Sequence, residues 1–175
     1  MDGSSKWFTL ETAPNDVMPH AVYFFMDMVD KKLWDNTVFV HNEDRILGSV
    51  LASPEGEDKK HLVENTLAFP EYSDAFQNEE FTFGFSNLGP EFYLNFYDKN
   101  EKHGPGGKSP APDGDVLQDA DPCFARVVIG GESVKFMKKK SEENKGEERV
   151  FTTIETVRKI SLSAQRRKEI GTPVL

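Results

Sequence analysis

The sequence has little cysteine, no long apolar run and a minority of positive charge. Its single cysteine, Cys123, excludes an intrachain disulfide, and with only four histidines it argues against a structural zinc site. No run approaches the roughly 18 apolar residues of a membrane span, and the N-terminal MDGSSKWFTLE lacks an apolar signal core. We therefore expect no metal and no membrane partner. The sequence does not identify a compartment, and a soluble cytoplasmic protein is the default expectation.

Negative charge dominates the composition. The chain has 30 acidic and 21 basic side chains, which gives a net charge of −9. A nucleic-acid partner is therefore disfavoured, because phosphates would be repelled. A length of 175 residues favours one domain that can bury a substantial core.

Aromatic residues are abundant, and they concentrate in residues 81–96, FTFGFSNLGPEFYLNF. Phenylalanines recur at every second position on both sides of the break at residues 86–90, which is the period of a half-buried strand. Gly89 and Pro90 in that break are typical turn residues. The stretch therefore predicts a hairpin with an aromatic wall on one face, for which a plain core hairpin is the simplest interpretation.

The preceding part of the chain predicts a strand followed by a helix. Residues 6–12, KWFTLET, alternate in polarity and predict the strand. Asn15 or Asp16 is expected to cap the helix, and Pro19 suits its first turn. Apolar residues at helical spacing from Met18 to Val29 predict a face that packs on the sheet, with a partner-binding face as the less common alternative.

Strands dominate the rest of the chain. They are predicted at residues 38–41, 45–52, 125–129 and 149–162, a short helix is predicted at 132–139, and residues 62–69 fit a strand or a helical turn. Residues 98–120 and 138–148 predict loops, and GPGGK at 104–108 lacks the spacing of a phosphate-binding loop. We therefore predict a mainly β fold, a closed or nearly closed antiparallel barrel with one or two capping helices.

Three segments carry a family resemblance through their order and spacing. They are FTLETAPNDVMPHAVYFFMDMVDKKLWDNTVFV at residues 8–40, GPEFYL at 89–94 and DPCFARVVIGGESVKFM at 121–137. Together they resemble the cyclophilin family of peptidyl-prolyl cis–trans isomerases, in a form similar to a divergent algal branch. The resemblance implies a cyclophilin-like domain over residues 1–162, followed by a polar tail at 163–175.

The resemblance also implies a function. Cyclophilins bind an extended peptide, place a proline ring in an apolar pocket and use an arginine to stabilise the twisted X–Pro amide. The barrier to this rotation is about 18–20 kcal/mol, and lowering it breaks no bond. The resemblance therefore implies a Pro-containing peptide or protein segment as the partner, no cofactor and a monomer.

The family's site residues fall on positions of this chain with several replacements. Phe39 matches the phenylalanine that opens the catalytic strand, His41 stands where the catalytic arginine belongs, and Arg45 is an alternative donor four residues on. Ile46 and Leu47 are the expected pocket residues after that strand.

The second group of implied substrate-binding residues comes from the later segments. Glu91 replaces a glutamine, Phe92 and Tyr93 match two phenylalanines, and Asp121 replaces a histidine at the pocket rim. Simpler interpretations remain for these positions: His41 as a surface strand residue, Tyr93 as a core residue and the two carboxylates as solvated groups. A pair of carboxylates for hydrolysis is a further alternative.

The sequence thus predicts a cyclophilin-type protein that binds Pro-containing segments and catalyses weakly or not at all. Histidine at position 41 cannot form the bidentate fork of an arginine. The alternatives are a non-catalytic protein–protein interaction module on the same fold, and a structural domain whose pocket is closed.

Overall fold

A seven-stranded antiparallel sheet organises the part of the chain that the computed structural model describes. That part comprises residues 6–41, 46–106, 108–109, 116–117, 119–143 and 151–160, with the backbone alone at 41, 46, 47, 108, 109, 116 and 117. The strands are β1 (Thr9–Thr12), β2 (Thr37–His41), β3 (Ile46–Val50), β4 (Thr82–Phe85), β5 (Phe92–Asn95), β6 (Lys108–Ser109), β7 (Val116–Leu117), β8 (Cys123–Ile129) and β9 (Phe151–Ile154). The large sheet runs β1-β8-β4-β5-β3-β2-β9, and β6 pairs with β7 in a separate ribbon.

Three helices accompany the sheet. They are α1 (Pro19–Asp30), α2 (Asn100–His103) and α3 (Gly131–Glu143), and a 3-10 turn covers Lys60–Leu62. The sheet curls into a half-barrel with β1 and β9 as its outermost described strands. The prediction of a mainly β, barrel-type fold with capping helices is therefore confirmed.

The two sequence runs that carry the implied site lie side by side in this sheet. Val40 of β2 is opposite Gly48 of β3, and Gly48 is opposite Tyr93 of β5. Leu47 pairs with His41 on one side and with Leu94 on the other. Tyr93 therefore shares its cross-strand row with Val40, whereas the backbone of His41 lies in the neighbouring row.

The core consists of the aromatic face of the sheet packed against α1. Phe92 lies at its centre, 4.4 Å from Trp34 and 5.7 Å from both Phe25 and Phe39 between ring centroids. Phe85 stacks on Phe124 of β8 at 4.4 Å. The apolar stripe predicted on α1 is thus a core face, since its buried residues are Ala21, Val22, Phe25, Met28 and Val29.

The hairpin of β4 and β5 is buried on both faces, which its alternating pattern did not predict. All four residues of each strand are buried. The aromatic side chains face α1, and the polar residues of the other face form hydrogen bonds with the segment around Asn78. Polar and apolar residues alternate along a strand in the same way whether its polar face meets water or is covered by other polar groups.

Several local predictions need correction. Neither Asn15 nor Asp16 caps α1: the helix has Met18 at its N-cap without a side-chain hydrogen bond, and Pro19 follows at its start. Glu71, distant in sequence, instead accepts the backbone N–H of Ala21 at 2.8 Å and that of His20 at 3.3 Å. Local sequence could not reveal this contact because the acceptor lies about 50 residues away.

Element boundaries in the second half also differ from the prediction. The stretch 98–120, expected to be loop, contains α2 and the β6–β7 ribbon, and α3 extends to Glu143 through part of the loop expected at 138–148. The closing strand is confirmed as β9, paired with β2, but it is shorter than predicted. The expected tail at 163–175 lies outside the described residues. No helix in the described ranges is long and apolar enough to cross a membrane.

Candidate functional site

A cavity of about 320 Å³ opens beside the row of Val40, Gly48 and Tyr93, on the face of the sheet opposite α1. Strands β2, β3 and β5 supply its base, and α2 together with Asp121, just before β8, supplies its polar side. Its lining residues are Val40, Gly48, Ser49, Val50, Ser86, Glu91, Phe92, Tyr93, Lys102, His103 and Asp121. This volume lies at the lower end of the range for small-ligand sites.

Glycine at position 84 determines how Tyr93 lies in this site. A β-carbon at Gly84 would stand 2.6 Å from the Tyr93 hydroxyl oxygen and 2.7 Å from its Cζ. These are distances that no side chain can occupy without displacing the tyrosine. Gly84, directly opposite Tyr93 in the β4–β5 pairing, therefore lets the ring cross the strand and bring its hydroxyl to the polar side of the cavity.

The Tyr93 hydroxyl anchors a buried hydrogen-bond network. It lies 3.0 Å from Asn78 Oδ1 and 3.3 Å from Asp121 Oδ2, and both oxygens can accept its proton. Asn95 donates to the same Asn78 oxygen at 3.3 Å and to Thr82 Oγ1 at 3.1 Å. Burial, followed by the nearby Asp121 charge, raises the pKa of Tyr93 well above its ordinary value of 10. The hydroxyl is therefore a neutral donor at physiological pH.

Asp121 ties three segments of the chain to the site. Its Oδ1 accepts the backbone N–H of Asn87 at 2.9 Å, in the turn between β4 and β5. Its Oδ2 lies 2.8 Å from His103 Nδ1 and also accepts from Tyr93. One carboxylate thus fixes the turn, strand β5 and helix α2 relative to one another.

His103 lies between this carboxylate and the aromatic wall. Its ring stacks on Tyr93 with centroids 4.8 Å apart and an interplanar angle of 29°. Its Nδ1 faces Asp121, whereas its Nε2 is shielded from solvent and has no hydrogen-bond partner among the described residues. The site therefore contains a shielded, unsatisfied polar atom on a residue that lines the cavity.

Glu91 carries the other carboxylate of the lining, and its charge is paired. Lys60 Nζ lies 2.7 Å from Glu91 Oε1, and both side chains are partly exposed. The hydrogen bond to Glu91 raises the pKa of Lys60. Glu91 and Asp121 are thus each engaged with protein donors, and their geometry gives no support to the alternative of paired-carboxylate hydrolysis.

Four of the implied site residues border this cavity: Glu91, Phe92, Tyr93 and Asp121. The ring of Phe92, however, packs in the core against Phe25 and Trp34 on the α1 face. Phe39 lies in the core, 4 % exposed, with its ring against Phe83 and Phe92, so it supports the cavity base from the other face. Arg45 lies outside the described residues, as do the side chains of His41, Ile46 and Leu47. The roles implied for these four positions stay predictions.

Sequence reasoning missed Lys102, His103 and Asn78. All three lie outside the motifs that carry the resemblance, and two come from α2, within a stretch interpreted as loop. One signal was present: a connection longer than about 15 residues between strands commonly has a function. Nothing in the sequence indicated that residues 102 and 103 would meet Tyr93.

A larger groove of about 510 Å³ runs between α1 and residues 62–68. Its charged residues do not converge on one point, since Lys31 and Asp27 form an ion pair with each other along the helix. The smaller cavity is the better candidate because its polar groups form one connected network beside an apolar wall. Across the described ranges, no group of three His, Cys, Asp or Glu residues is arranged to hold a metal ion.

The overall fold resembles solved cyclophilins at low sequence identity. A Cryptosporidium parvum cyclophilin-type peptidyl-prolyl cis–trans isomerase, solved in the presence of the dipeptide Ala-Pro, superimposes with a TM-score of 0.51 and 14 % identity, covering 75 % of this chain and 78 % of that chain. A second structure of a cyclophilin-type isomerase from the same organism gives 0.50 and 13 %, covering 75 % and 76 %. No protein-family model and no curated protein matches the sequence. The chain therefore has a cyclophilin-like fold, as its motifs predict.

Proposed function

We propose that the chain binds Pro-containing peptide segments, as a monomer, in the cavity beside Tyr93, and that it isomerises X–Pro bonds weakly or not at all. The observation that carries the proposal is the row of Val40, Gly48 and Tyr93 along the cavity. It combines an aliphatic side chain, an open glycine and an aromatic ring, a surface on which a pyrrolidine ring can pack.

The fold supports a peptide ligand. Cyclophilin-like neighbours include one solved in the presence of Ala-Pro. The network behind Tyr93 holds the ring in place through its hydroxyl, so the apolar wall is preorganised before a ligand arrives. Peptide binding requires only this wall and nearby polar groups, and both occur in the cavity.

The expectation of weak catalysis rests on the donors of the site. Among the described residues of the cavity lining there is no arginine. The positive charges that the described residues place nearby are Lys102, which lines the cavity, and Lys60, which pairs with Glu91. A lysine cannot offer the planar fork that an arginine presents to an amide. Losing one preorganised donor typically costs about 10²–10³-fold in rate.

Binding is tested by titrating a short Ala-Pro-containing peptide into ¹⁵N-labelled protein. We expect the amide resonances of Gly48, Tyr93 and residues 102–103 to shift together, with one peptide bound per chain. A matched variant, Gly84→Ala, should weaken the effect because its β-carbon displaces Tyr93. The absence of shifts at these positions would favour a structural domain with a closed pocket.

Catalysis is tested by a coupled isomerase assay on the same peptide. We compare the wild type with His41→Arg, the position that the family resemblance implies, and Val40→Arg, the position in the row of Tyr93. Placing a guanidinium at the correct position should raise turnover by up to about 10²–10³-fold. Wild-type turnover within about tenfold of an ordinary cyclophilin would refute weak catalysis. Binding without turnover in all three proteins would favour the non-catalytic interaction module.

A further inference from the structure

We propose that the groove between α1 and residues 62–68 is a second binding site, which takes an extended peptide segment with apolar side chains and a lysine or arginine. The bound segment pairs with the main chain of residues 64–66 as an added strand. This site is separate from the cavity beside Tyr93, so the inference goes beyond the proposed function and does not depend on it.

The first observation concerns the main chain of residues 64–66. The preceding 3-10 turn ends at Leu62, and Val63 has an extended backbone, with φ −93° and ψ 109°. Within the described ranges, the main-chain N–H and C=O groups of residues 64–66 have no hydrogen-bond partner, and all three residues are exposed. Unpaired main-chain groups of this kind accept a further strand, which is how many proteins bind extended peptides.

The segment is attached to the rest of the molecule on both sides of these residues. Lys60, at the start of the 3-10 turn, pairs with Glu91 at 2.7 Å. Leu67 is buried and donates its N–H to the backbone oxygen of Leu88 at 3.0 Å. Because this wall of the groove is already held in place, a ligand that binds to it pays little for ordering it.

The groove also offers apolar surface to the side chains of a bound segment. Its main apolar lining residues are Tyr23, Phe24, Met28, Leu33, Leu62 and Leu67. Tyr23 is 75 % exposed and Leu62 46 %, so both can still bury area on binding. The lining stretch of α1, from Pro19 to Lys31, spans about 18 Å. This length matches about five or six residues of extended chain.

The charges of the groove favour a basic segment. Asp27 and Lys31 on α1 form an ion pair at 2.9 Å, whereas Glu64 on the opposite wall forms none with a described residue. The hydrogen bond to Asp27 is the main cause that raises the pKa of Lys31, and the Glu64 charge adds to it. Two carboxylates therefore accompany one lysine in the lining. A lysine or arginine of the bound segment supplies the missing positive charge, and the exposed Tyr23 ring can add a cation–π contact.

The experiment titrates a blocked, proline-free hexapeptide of sequence Val-Arg-Val-Thr-Val-Arg into ¹⁵N-labelled protein. We expect the amide resonances of residues 64–66 and Tyr23 to shift together, with one peptide bound per chain. The resonances of Gly48 and Tyr93 should stay in place, because the peptide has no proline for the smaller cavity. Absence of shifts at residues 64–66 would overturn the inference.

Main-chain pairing is tested by two versions of the hexapeptide that are N-methylated at alternate residues, one in each phase. Alternate residues of an added strand direct their N–H groups to the neighbouring strand. One phase should therefore weaken binding by about tenfold or more, the value of two to three hydrogen bonds, and the other should keep it. An equal effect of both phases would contradict strand pairing.

Protein variants test the charge and the rim. Glu64→Gln should weaken binding about two- to fivefold, the value of one exposed ion pair. Glu55→Gln removes the same charge at another exposed loop position and is the matched control, which should keep the affinity. Tyr23→Ala should also weaken binding, because it removes the exposed ring from the rim. Equal affinity of Glu64→Gln and wild type would refute the basic character of the ligand.

A second copy of the chain is the competing occupant. If it fills the groove, the resonances of residues 64–66 shift as the protein is concentrated without peptide, and the inference is then wrong. The proposed function is judged separately, by the Ala-Pro-containing peptide and the resonances of Gly48 and Tyr93. Failure at one site therefore leaves the result at the other intact.

Discussion

Cys123 and Tyr93 are two buried ionisable residues whose pKa values burial raises. Cys123 is fully buried on β8, and burial raises the pKa of its thiol from the ordinary 9.0 to about 12. Tyr93 is affected in the same direction. In both cases the folded state retains a proton that the unfolded state releases at lower pH, so folding is favoured below the ordinary pKa and disfavoured above it.

We predict that this difference makes Cys123 a source of alkaline instability. Between pH 9 and about 12 the unfolded thiol ionises while the folded thiol does not, so the free energy of unfolding should fall by about 1.4 kcal/mol per pH unit from this group alone. Denaturant unfolding at several pH values compares the wild type with Cys123→Ala. The alanine variant should show the shallower decline, whereas parallel curves would contradict the assigned pKa.

Single residues also show how far the site was predictable. Glu91, Tyr93 and Asp121 fall in motifs with a known spacing, and the structure brings them to one cavity. Gly84 and His103 were not predictable, because the reason for each is a contact with Tyr93 made across strands or from a distant helix. Alternation along a strand indicates which face a residue takes, but it does not identify what covers that face.

At the scale of elements, α1 depends on a contact from outside the helix. Glu71 is buried, and its two carboxylate oxygens accept the backbone N–H groups of His20 and Ala21 in the first turn. A carboxylate at a helix N-terminus satisfies otherwise unpaired donors and interacts favourably with the helix dipole. The loop that contains Glu71 is thereby attached to the main helix.

We predict that Glu71→Ala lowers the free energy of unfolding by about 1–2 kcal/mol, the usual cost of losing a helix cap. Glu71→Gln should lose less, because the amide oxygen still accepts one N–H group. Thermal or urea unfolding measures both, with the exposed Glu64→Ala as the control. Equal stability of Glu71→Ala and wild type would mean that water replaces the carboxylate without cost.

Comparing the predicted elements with those of the structure explains the errors at element boundaries. The strand–helix order and the pairing of the aromatic hairpin could be predicted, because each follows from a local period. The capping of α1 by Glu71 and the short helix α2 could not, because the first is a long-range contact and the second is a single turn of four residues in a Gly- and Pro-rich stretch. Elements this short derive their stability from packing and not from propensity.

At the scale of the whole molecule, stability depends on the aromatic cluster between α1 and the sheet. Phe92 is its centre, in ring contact with Phe25, Trp34, Phe39 and Phe124. Its neighbour in sequence, Tyr93, faces the cavity, so the core and the candidate site share strand β5. A substitution that disrupts the packing of the core is therefore expected to disturb the candidate site as well.

We predict that Phe92→Ala lowers the free energy of unfolding by about 3–5 kcal/mol, the range for removing a buried phenylalanine. This is a large fraction of the 5–15 kcal/mol typical of a domain, so the cavity should lose peptide affinity as well. Ile160→Ala, at a position 54 % exposed, should change stability by less than about 0.5 kcal/mol. Chemical denaturation tests both, and a loss below about 1 kcal/mol at Phe92 would mean that the core closes around the gap.

The position of the only thiol in the chain has a practical consequence. Cys123 lies on β8, which pairs with β1 on one side and with β4 on the other. A thiol-labelling reagent requires an accessible thiolate, and Cys123 Sγ is buried and donates to the backbone oxygen of Gln77 at 3.1 Å. The labelling rate therefore reports the openings that uncover Cys123, and the protein carries its own reporter for them without an added probe.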